Sequence, residues 1–306
     1  MNEIFPREAA ADPEPFTGER LTSDLSGQTQ VEHYHRYLFA RGLCRGLDVL
    51  DVASGEGYGS ALLAQVARSV VGVEYSAPTV RSAQHNFPRG NLTFLQGDAR
   101  ALPLHDAGFD VVVSFETIEH FDRQAAFVAE VRRVLRPDGC FIVSTPDREI
   151  YSAPGTPPNP FHVQEMSLDA FRALLWGQFP YVTILHQRPM SGSALVPVGA
   201  NPLLVFDRLD QDRFEACEGL PRAPYLVAVA SGRPVPPMPA SLYIDHSDLD
   251  TVALALAAAQ AEMARREEAA DAELTRLTRA LDQARSSLRG FLRYYLPRLR
   301  RHWFGR

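Results

Sequence analysis

The 306-residue chain contains no lysine: all 31 of its cationic positions are arginine. With its abundant alanine, this reads as genome composition more than as a mechanism. Cysteine is scarce as well. Cys44, Cys140 and Cys217 form no CxxC pair and no even-numbered framework, which excludes a disulfide scaffold and a cysteine-built metal site. Two of them lie against predicted strands and read as reduced core residues. No run of eighteen apolar residues occurs, and the N-terminus MNEIFPREAAADPEPF lacks the cationic-then-apolar order of a secretory signal. The expected location is therefore cytoplasmic. What remains is ordinary for a globular chain: 45% hydrophobic, 22% charged and a net charge of −6. The length accommodates one large domain plus an appendage.

The most informative stretch is LDVLDVASGEGYGSALLA, from Leu47 to Ala64. An apolar run (Leu47, Val49, Leu50, Val52) ends in a glycine-rich turn (Gly55, Gly57, Gly59), and a small-residue helical pattern follows. Strand, tight turn and helix in that order make a nucleotide-binding corner, because glycine lets the backbone approach a ligand closely. A second apolar strand, Val70 to Val73, ends in Glu74, 23 residues after Asp51. An α/β nucleotide site places its ribose carboxylate roughly 20 residues on.

GEGYGS is one substitution from the dinucleotide pattern GxGxxG/A, with Ser60 in the last position, a weak signal by itself. A dinucleotide needs a helix N-terminus aimed at its pyrophosphate. S-adenosylmethionine has no phosphate but carries an ammonium and a sulfonium, and Asp51 at the end of the first strand suits a cation. Leu95-Gln96-Gly97-Asp98-Ala99 closes a third strand with another acid, placed to accept from an adenine amine. Phe109-Asp110-Val111-Val112-Val113-Ser114 and Val134-Leu135-Arg136-Pro137-Asp138-Gly139 follow.

On these motifs the chain resembles the class I S-adenosylmethionine-dependent methyltransferases. DVASGEGYG is similar to their first motif, with Ala53 where glycine is commoner. Glu74 matches the ribose acid, GDA the adenine motif, FDVVVSFETIEH the fourth strand and RVLRPDG the turn before the fifth. The resemblance covers roughly residues 28 to 230. It implies that Asp51, Ala53, Ser54, Gly55 and Gly57 line the methionine part of the cofactor. Glu74 would accept the ribose hydroxyls, Asp98 and the Ala99 amide would read adenine, and Ser114 and Phe115 would border the reacting methyl. Gly59 and Gly72 read as packing glycines, and Asp48 and Asp110 as strand-edge acids.

Strands are predicted near 47–52, 69–74, 92–96, 109–114 and 140–145, with helices near 28–40, 58–67, 78–86, 123–135 and 167–177. Pro78 suits a first helical turn and Ser167 a cap. Two last strands, near 181–187 and 225–230, complete the expected fold: α/β, Rossmann-like, a seven-stranded mostly parallel sheet with flanking helices. A C-terminal helix and a basic amphipathic tail are appended. The boundaries read as an N-terminal arm (1–27), a methyltransferase domain (28–232), a proline-rich linker (233–248), a helix or coiled coil (249–288) and the tail (289–306). Residues 191–224 read as an insertion shaping the acceptor site.

Leu274, Leu277, Leu281, Ala284 and Leu288 alternate three and four apart, a coiled-coil seam that is regular over about two heptads. Self-association through 249–288 is expected; a single helix packed on the first domain is the alternative. From Arg285 onward the chain holds seven arginines and no acid, leaving −13 for everything before. Arginines interleaved with Phe291, Leu292, Tyr294, Tyr295, Leu296, Leu299, Trp303 and Phe304 describe an interfacial helix on an anionic bilayer. That would make the protein peripheral at the inner face of the plasma membrane. The rivals are a solvated C-terminal helix and nucleic acid, the latter weakened by the aromatic and leucine density.

On the acceptor side, Glu116-Thr117-Ile118-Glu119-His120 makes His120 the candidate base, since an unperturbed imidazole takes a proton near neutral pH. ExxEH with a later histidine also resembles the metal motif of small-RNA 2′-O-methyltransferases and ubiquinone-pathway O-methyltransferases. That resemblance implies a divalent metal on Glu116, Glu119, His120 and His162. The segments Gly18-Glu19-Arg20, EHYHRYLFA, SFETIEH and NPFHVQE resemble methyltransferases of bacterial polysaccharide and lipopolysaccharide biosynthesis. They imply O-methylation of a sugar hydroxyl on a surface glycan or its precursor. Arg20, His33 and Arg36 would serve phosphate, uronate or the cofactor carboxylate, or only the surface. A quinone- or polyketide-type acceptor, and a non-catalytic membrane assembly protein with a vestigial cofactor domain, remain as alternatives.

Overall fold

The computed structural model describes residues 28–190, 192–199, 203–208, 214–244 and 246–304. The arm expected over 1–27, with Arg20, lies outside the described residues. The chain divides into two units, after residue 245.

The first unit begins with helix α1 (Gln28–Leu43) and then alternates: β1 (Asp48–Val52), α2 (Tyr58–Leu63), β2 (Ser69–Glu74), α3 (Ala77–Asn86), β3 (Leu92–Gln96), β4 (Phe109–Ser114), α4 (Gln124–Val134) and β5 (Leu135–Pro146). Helices α5 (Arg148–Tyr151) and α6 (Leu168–Trp176) precede β6 (Tyr181–Met190), β7 (Gly192–Pro197), β8 (Leu204–Arg208), β9 (Phe214–Glu218), β10 (Tyr225–Ser231) and β11 (Ser241–Tyr243). Local chemistry sets the helix starts. Ser76 caps α3, its hydroxyl accepting from the Thr79 amide at 3.4 Å, with Pro78 in the first turn. Ser167 caps α6 in the same way through the Ala170 amide.

The main sheet runs β11-β7-β6-β10-β5-β4-β1-β2-β3. Strands β1 to β5 pair in parallel, and β10 enters antiparallel between β5 and β6. Both faces are covered, so the central strands bury apolar residues on both faces, with polar ones such as Asp48, Asp51 and Ser114 at or near their ends. Alternation sorts them. Val49, Val111, Val113 and Ile142 face a core with Tyr37, Ala40, Leu62 and Val80. Leu50, Val52, Val112, Phe141 and Val143 face the other, with Phe127, Val131, Phe171 and Leu175. The RVLRPDG turn is a break in the β4–β5 register: Phe109 pairs with Leu135, but Val111 pairs with Cys140.

Nine strands form this sheet, two more than the seven expected. One is β7, read in sequence as insertion; all six of its residues are buried. The other is β11, from the stretch expected as a linker over 233–248. Its Ser241 pairs with Leu195 and its Tyr243 with Ser193, while Val235 and Met238 pack into the core. Within the same insertion, β8 and β9 pair antiparallel as a separate two-stranded sheet.

The second unit is helix α7 (His246–Phe304), 59 residues long, which runs unbroken through the boundary expected at 288/289 and contains Pro297. Leu274, Leu277, Leu281 and Leu288 are exposed on it. Among the described residues, no helix is long and apolar enough to cross a membrane.

Candidate cofactor and acceptor site

The tips of β1 and β2 place the two leading acids side by side, because Asp51 pairs with Gly72 and Val52 with Val73 in the parallel ladder. Asp51 is fully buried. Its carboxylate accepts from Ser60 Oγ at 2.6 Å and from the Tyr37 hydroxyl at 3.2 and 3.3 Å. Burial is the main cause that pushes its pKa up to about 7, with the charge of Glu74 adding in the same direction. Tyr37 and Ser60 stood outside the expected site. Tyr37 reaches Asp51 from α1, and no spacing within the glycine motif reveals that.

Between the acids the chain turns sharply, with positive φ at Ala53 (58°), Gly55 (54°) and Gly57 (87°). Gly57 is required on two counts. Its backbone is left-handed, and a Cβ there would lie 2.5 Å from Phe94 Cζ. Glu74 is 7% exposed, and its Oε2 accepts from the Gly55 amide at 3.2 Å while Oε1 accepts from the Ser76 amide at 3.1 Å. The carboxylate is thereby fixed across the turn. Ser54 is buried with its hydroxyl free of hydrogen bonds, as is that of Ser114 at the tip of β4. Phe115 is buried and meets the Tyr37 ring edge-on at 5.0 Å, which links the tip of β4 to Asp51. Gly59 and Gly72 are packing glycines: a Cβ would overlap the Tyr37 ring at the first and lie 2.6 Å from Phe94 at the second.

Asp98, expected to read adenine, follows β3 beside Ala99. Arg100 grips its carboxylate (Nη2 to Oδ2, 2.7 Å) and holds its pKa below the ordinary value. Asp48 and Asp110 are strand-edge acids, bound by Arg68 and Arg136. The three cysteines are free, with Cys44 buried.

On the acceptor side, a 3₁₀ turn over Ile118–His120 follows β4. Glu119, His120 and His162 converge there, with one ligating atom from each within 4.8 Å of the others. His120 Nδ1 lies 2.9 Å from the Phe161 carbonyl oxygen, and His162 Nδ1 lies 2.6 Å from Glu165 Oε1. Glu119 is 1% exposed and neither carboxylate oxygen has a hydrogen-bond partner. Burial, then the neighbouring Glu116 charge, pushes its pKa well above the ordinary carboxylate range.

Glu116, expected as a fourth metal ligand, is held elsewhere. Its Oε1 accepts from Ser144 Oγ at 2.6 Å and lies 3.2 Å from Arg36 Nη1. Its backbone is left-handed, with φ of 48°, a strained position for a non-glycine residue. Arg36 is fully buried. Its Nε donates to Gln187 Oε1 at 2.6 Å, and its guanidinium lies over the Tyr225 ring at 4.6 Å. So Arg36 is a buried counter-ion of the acceptor side, where sequence left a surface role open.

A family model described as a methyltransferase domain matches residues 50–143, the stretch from β1 to β5 that carries this turn. Over those residues the chain is similar to a methyltransferase domain. It is 44% identical over 165 residues to a probable S-adenosylmethionine-dependent methyltransferase of Mycolicibacterium smegmatis, covering 53% of this chain and 63% of that protein. To a probable S-adenosylmethionine-dependent methyltransferase of Mycobacterium tuberculosis it is 43% identical over 164 residues, covering 52% and 59%. A fatty-acid O-methyltransferase of Mycolicibacterium smegmatis is 33% identical over 134 residues, covering 43% of this chain and 48% of that protein. The chain thus spans less than two thirds of the length of the curated relatives it matches. In the first unit, the donor set fits S-adenosylmethionine: buried carboxylates at adjacent strand tips suit an ammonium and a ribose, and the turn between them is rich in glycine.

Proposed function

We propose that the protein transfers the methyl group of S-adenosylmethionine to a sugar hydroxyl of a bacterial surface glycan or its precursor. The two buried acids, Asp51 and Glu74, on either side of the Gly55–Gly57 turn support the cofactor half of this reading. When bound, the cofactor supplies a methyl group on a sulfonium, which the acceptor oxygen attacks while the C–S electron pair stays on sulfur. The protein's share is orientation and proton removal. Asp51 would face the ammonium and Glu74 the ribose, in charge-assisted bonds roughly twice as strong as neutral ones. Asp98 would turn part of its carboxylate from Arg100 to adenine, beside Ala99. Ser114 and Phe115 would border the methyl. His120 is proposed for the hydroxyl proton: its Nδ1–H is committed to the Phe161 carbonyl, so Nε2 carries the lone pair. It would act as a base or, as argued below, through an ion it helps to hold.

A polyhydroxylated acceptor is supported by the polar groups gathered past β4: Arg36, Glu116, Ser144, His120, Asn159 and His162. A second reading, a lipid-like or quinone-type small molecule, is favoured by the names of relatives. These include the fatty-acid O-methyltransferase and phthiotriol/phenolphthiotriol dimycocerosates methyltransferases of mycobacteria. The vestigial alternative is disfavoured by the intact acids and glycines of the turn. We further propose that α7 self-associates along its leucine seam over 249–288 and that its basic end, 289–306, meets an anionic membrane surface.

Calorimetry of the full chain with S-adenosylhomocysteine is expected to show binding; none would leave only a scaffold. Incubation with labelled S-adenosylmethionine and separate glycan and lipid extracts is expected to label the glycan fraction. Label confined to the lipid fraction would establish the second reading instead.

A further inference from the structure

We propose that Glu119, His120 and His162 form a divalent-metal site suited to Zn²⁺ rather than Mg²⁺. The carboxylate of Glu119 is buried at the turn after β4 with no hydrogen-bond partner on either oxygen, among the described residues. A carboxyl buried in this way keeps its proton unless a cation joins it. Arg36, the nearby cation, spends its Nη1 on Glu116 and its Nε on Gln187. The Arg36 charge acts on Glu119 from nearby, but among the described residues no cationic side chain is bonded to its carboxyl.

Both imidazoles are already set in the tautomer a metal requires. A carbonyl oxygen and a carboxylate oxygen only accept, so His120 Nδ1 donates to Phe161 and His162 Nδ1 donates to Glu165, at 2.9 and 2.6 Å. Each Nε2 therefore carries a lone pair. Metal-ligating histidines are oriented in this way, by an acceptor on the far nitrogen. The rings stand nearly perpendicular, 5.3 Å apart. One carboxylate oxygen of Glu119 and one ring nitrogen from each histidine lie within 4.8 Å of one another, against about 3.4 Å between neighbouring ligands of a tetrahedral zinc with bonds of about 2.1 Å. Small side-chain movements close that gap. Asn159 Nδ2, which donates to His162 Nε2 at 3.0 Å, must turn aside.

Two nitrogens and one carboxylate are the ligand set of a zinc site with one position open, whereas Mg²⁺ and Ca²⁺ take oxygen. Glu116 stays outside the set, because Ser144 and Arg36 occupy it. The ion would lower the pKa of an acceptor hydroxyl, taking over the task offered to His120 alone.

The test uses chelator-dialysed full-length protein titrated with ZnSO₄, followed by metal analysis and thermal melting. Wild type is expected to bind one equivalent and to melt higher with zinc. Glu119→Gln and His162→Gln should each weaken zinc by about tenfold or more, while Glu116→Gln binds as wild type does. Zinc uptake unchanged in Glu119→Gln, or absent from wild type, overturns the site. S-adenosylhomocysteine binding on the same samples reports the cofactor half separately, so neither failure is mistaken for the other.

Discussion

Asp51 sits in a fully buried position where an uncharged side chain would cost less, and that cost defines its behaviour. With its pKa pushed up to about 7, the folded protein holds an extra proton between the ordinary carboxylate range and neutrality. The sign follows: this group's contribution to stability falls as pH rises from about 4 to about 7, because folding then favours the protonated form. A bound ammonium reverses the preference, since it pairs with the ionised carboxylate. Affinity for S-adenosylhomocysteine should therefore rise through neutrality, by about tenfold from pH 6 to pH 8, as the ionised fraction grows. Calorimetry across that range checks it, and Asp51→Asn should flatten the profile. A wild-type affinity independent of pH would remove Asp51 from the ammonium site.

Among the elements, the turn from β1 to α2 is the most constrained and the end of α1 the least. Gly57→Ala would combine a left-handed backbone with a Cβ against the Phe94 ring, for a loss of about 2–4 kcal/mol. Gly42, near the end of α1, has open space around a Cβ, so Gly42→Ala should stabilise by about 0.5–1 kcal/mol. Urea denaturation of the two variants reads both signs; a neutral Gly57→Ala would mean the turn rearranges freely. The same contrast explains what was legible. β1, β2, β4 and β10 read directly as largely apolar runs, because a strand covered on both faces buries apolar side chains on each. β7 and β11 did not. Gly192–Pro197 carries glycine, serine and proline and becomes a strand on the edge of β6, and Ser241–Tyr243 is three residues long and becomes one on the edge of β7.

For the whole molecule, charge is distributed in opposition: seven arginines without an acid from Arg285 onward, and −13 before it. In α7, Leu292, Tyr295 and Leu296 are exposed beside Arg289 and Arg293, a surface suited to headgroups and acyl chains together. With about 1 kcal/mol for each arginine near an anionic surface, removing residues 285–306 should release the protein from phosphatidylglycerol vesicles. High salt should do the same to the full chain, and phosphatidylcholine vesicles should bind neither form. Co-sedimentation measures all three; equal binding by the truncated chain would assign the arginines to something other than lipid.

The sequence alone determined the strand–turn–helix corner, its acids at the strand tips and the α/β alternation. Each of these rests on chemistry acting within a few residues: glycine's backbone freedom, the two-residue period of a strand and the capping of a helix start. Tertiary structure decided what those residues touch. It brought Tyr37 to Asp51, Arg36 to Glu116 rather than to the surface, and His162 to Glu119 and His120 while leaving Glu116 out. It also inserted β10 between β5 and β6. Such choices depend on which apolar faces remain to be covered and which buried charges remain to be met, and no short stretch of the chain contains that information.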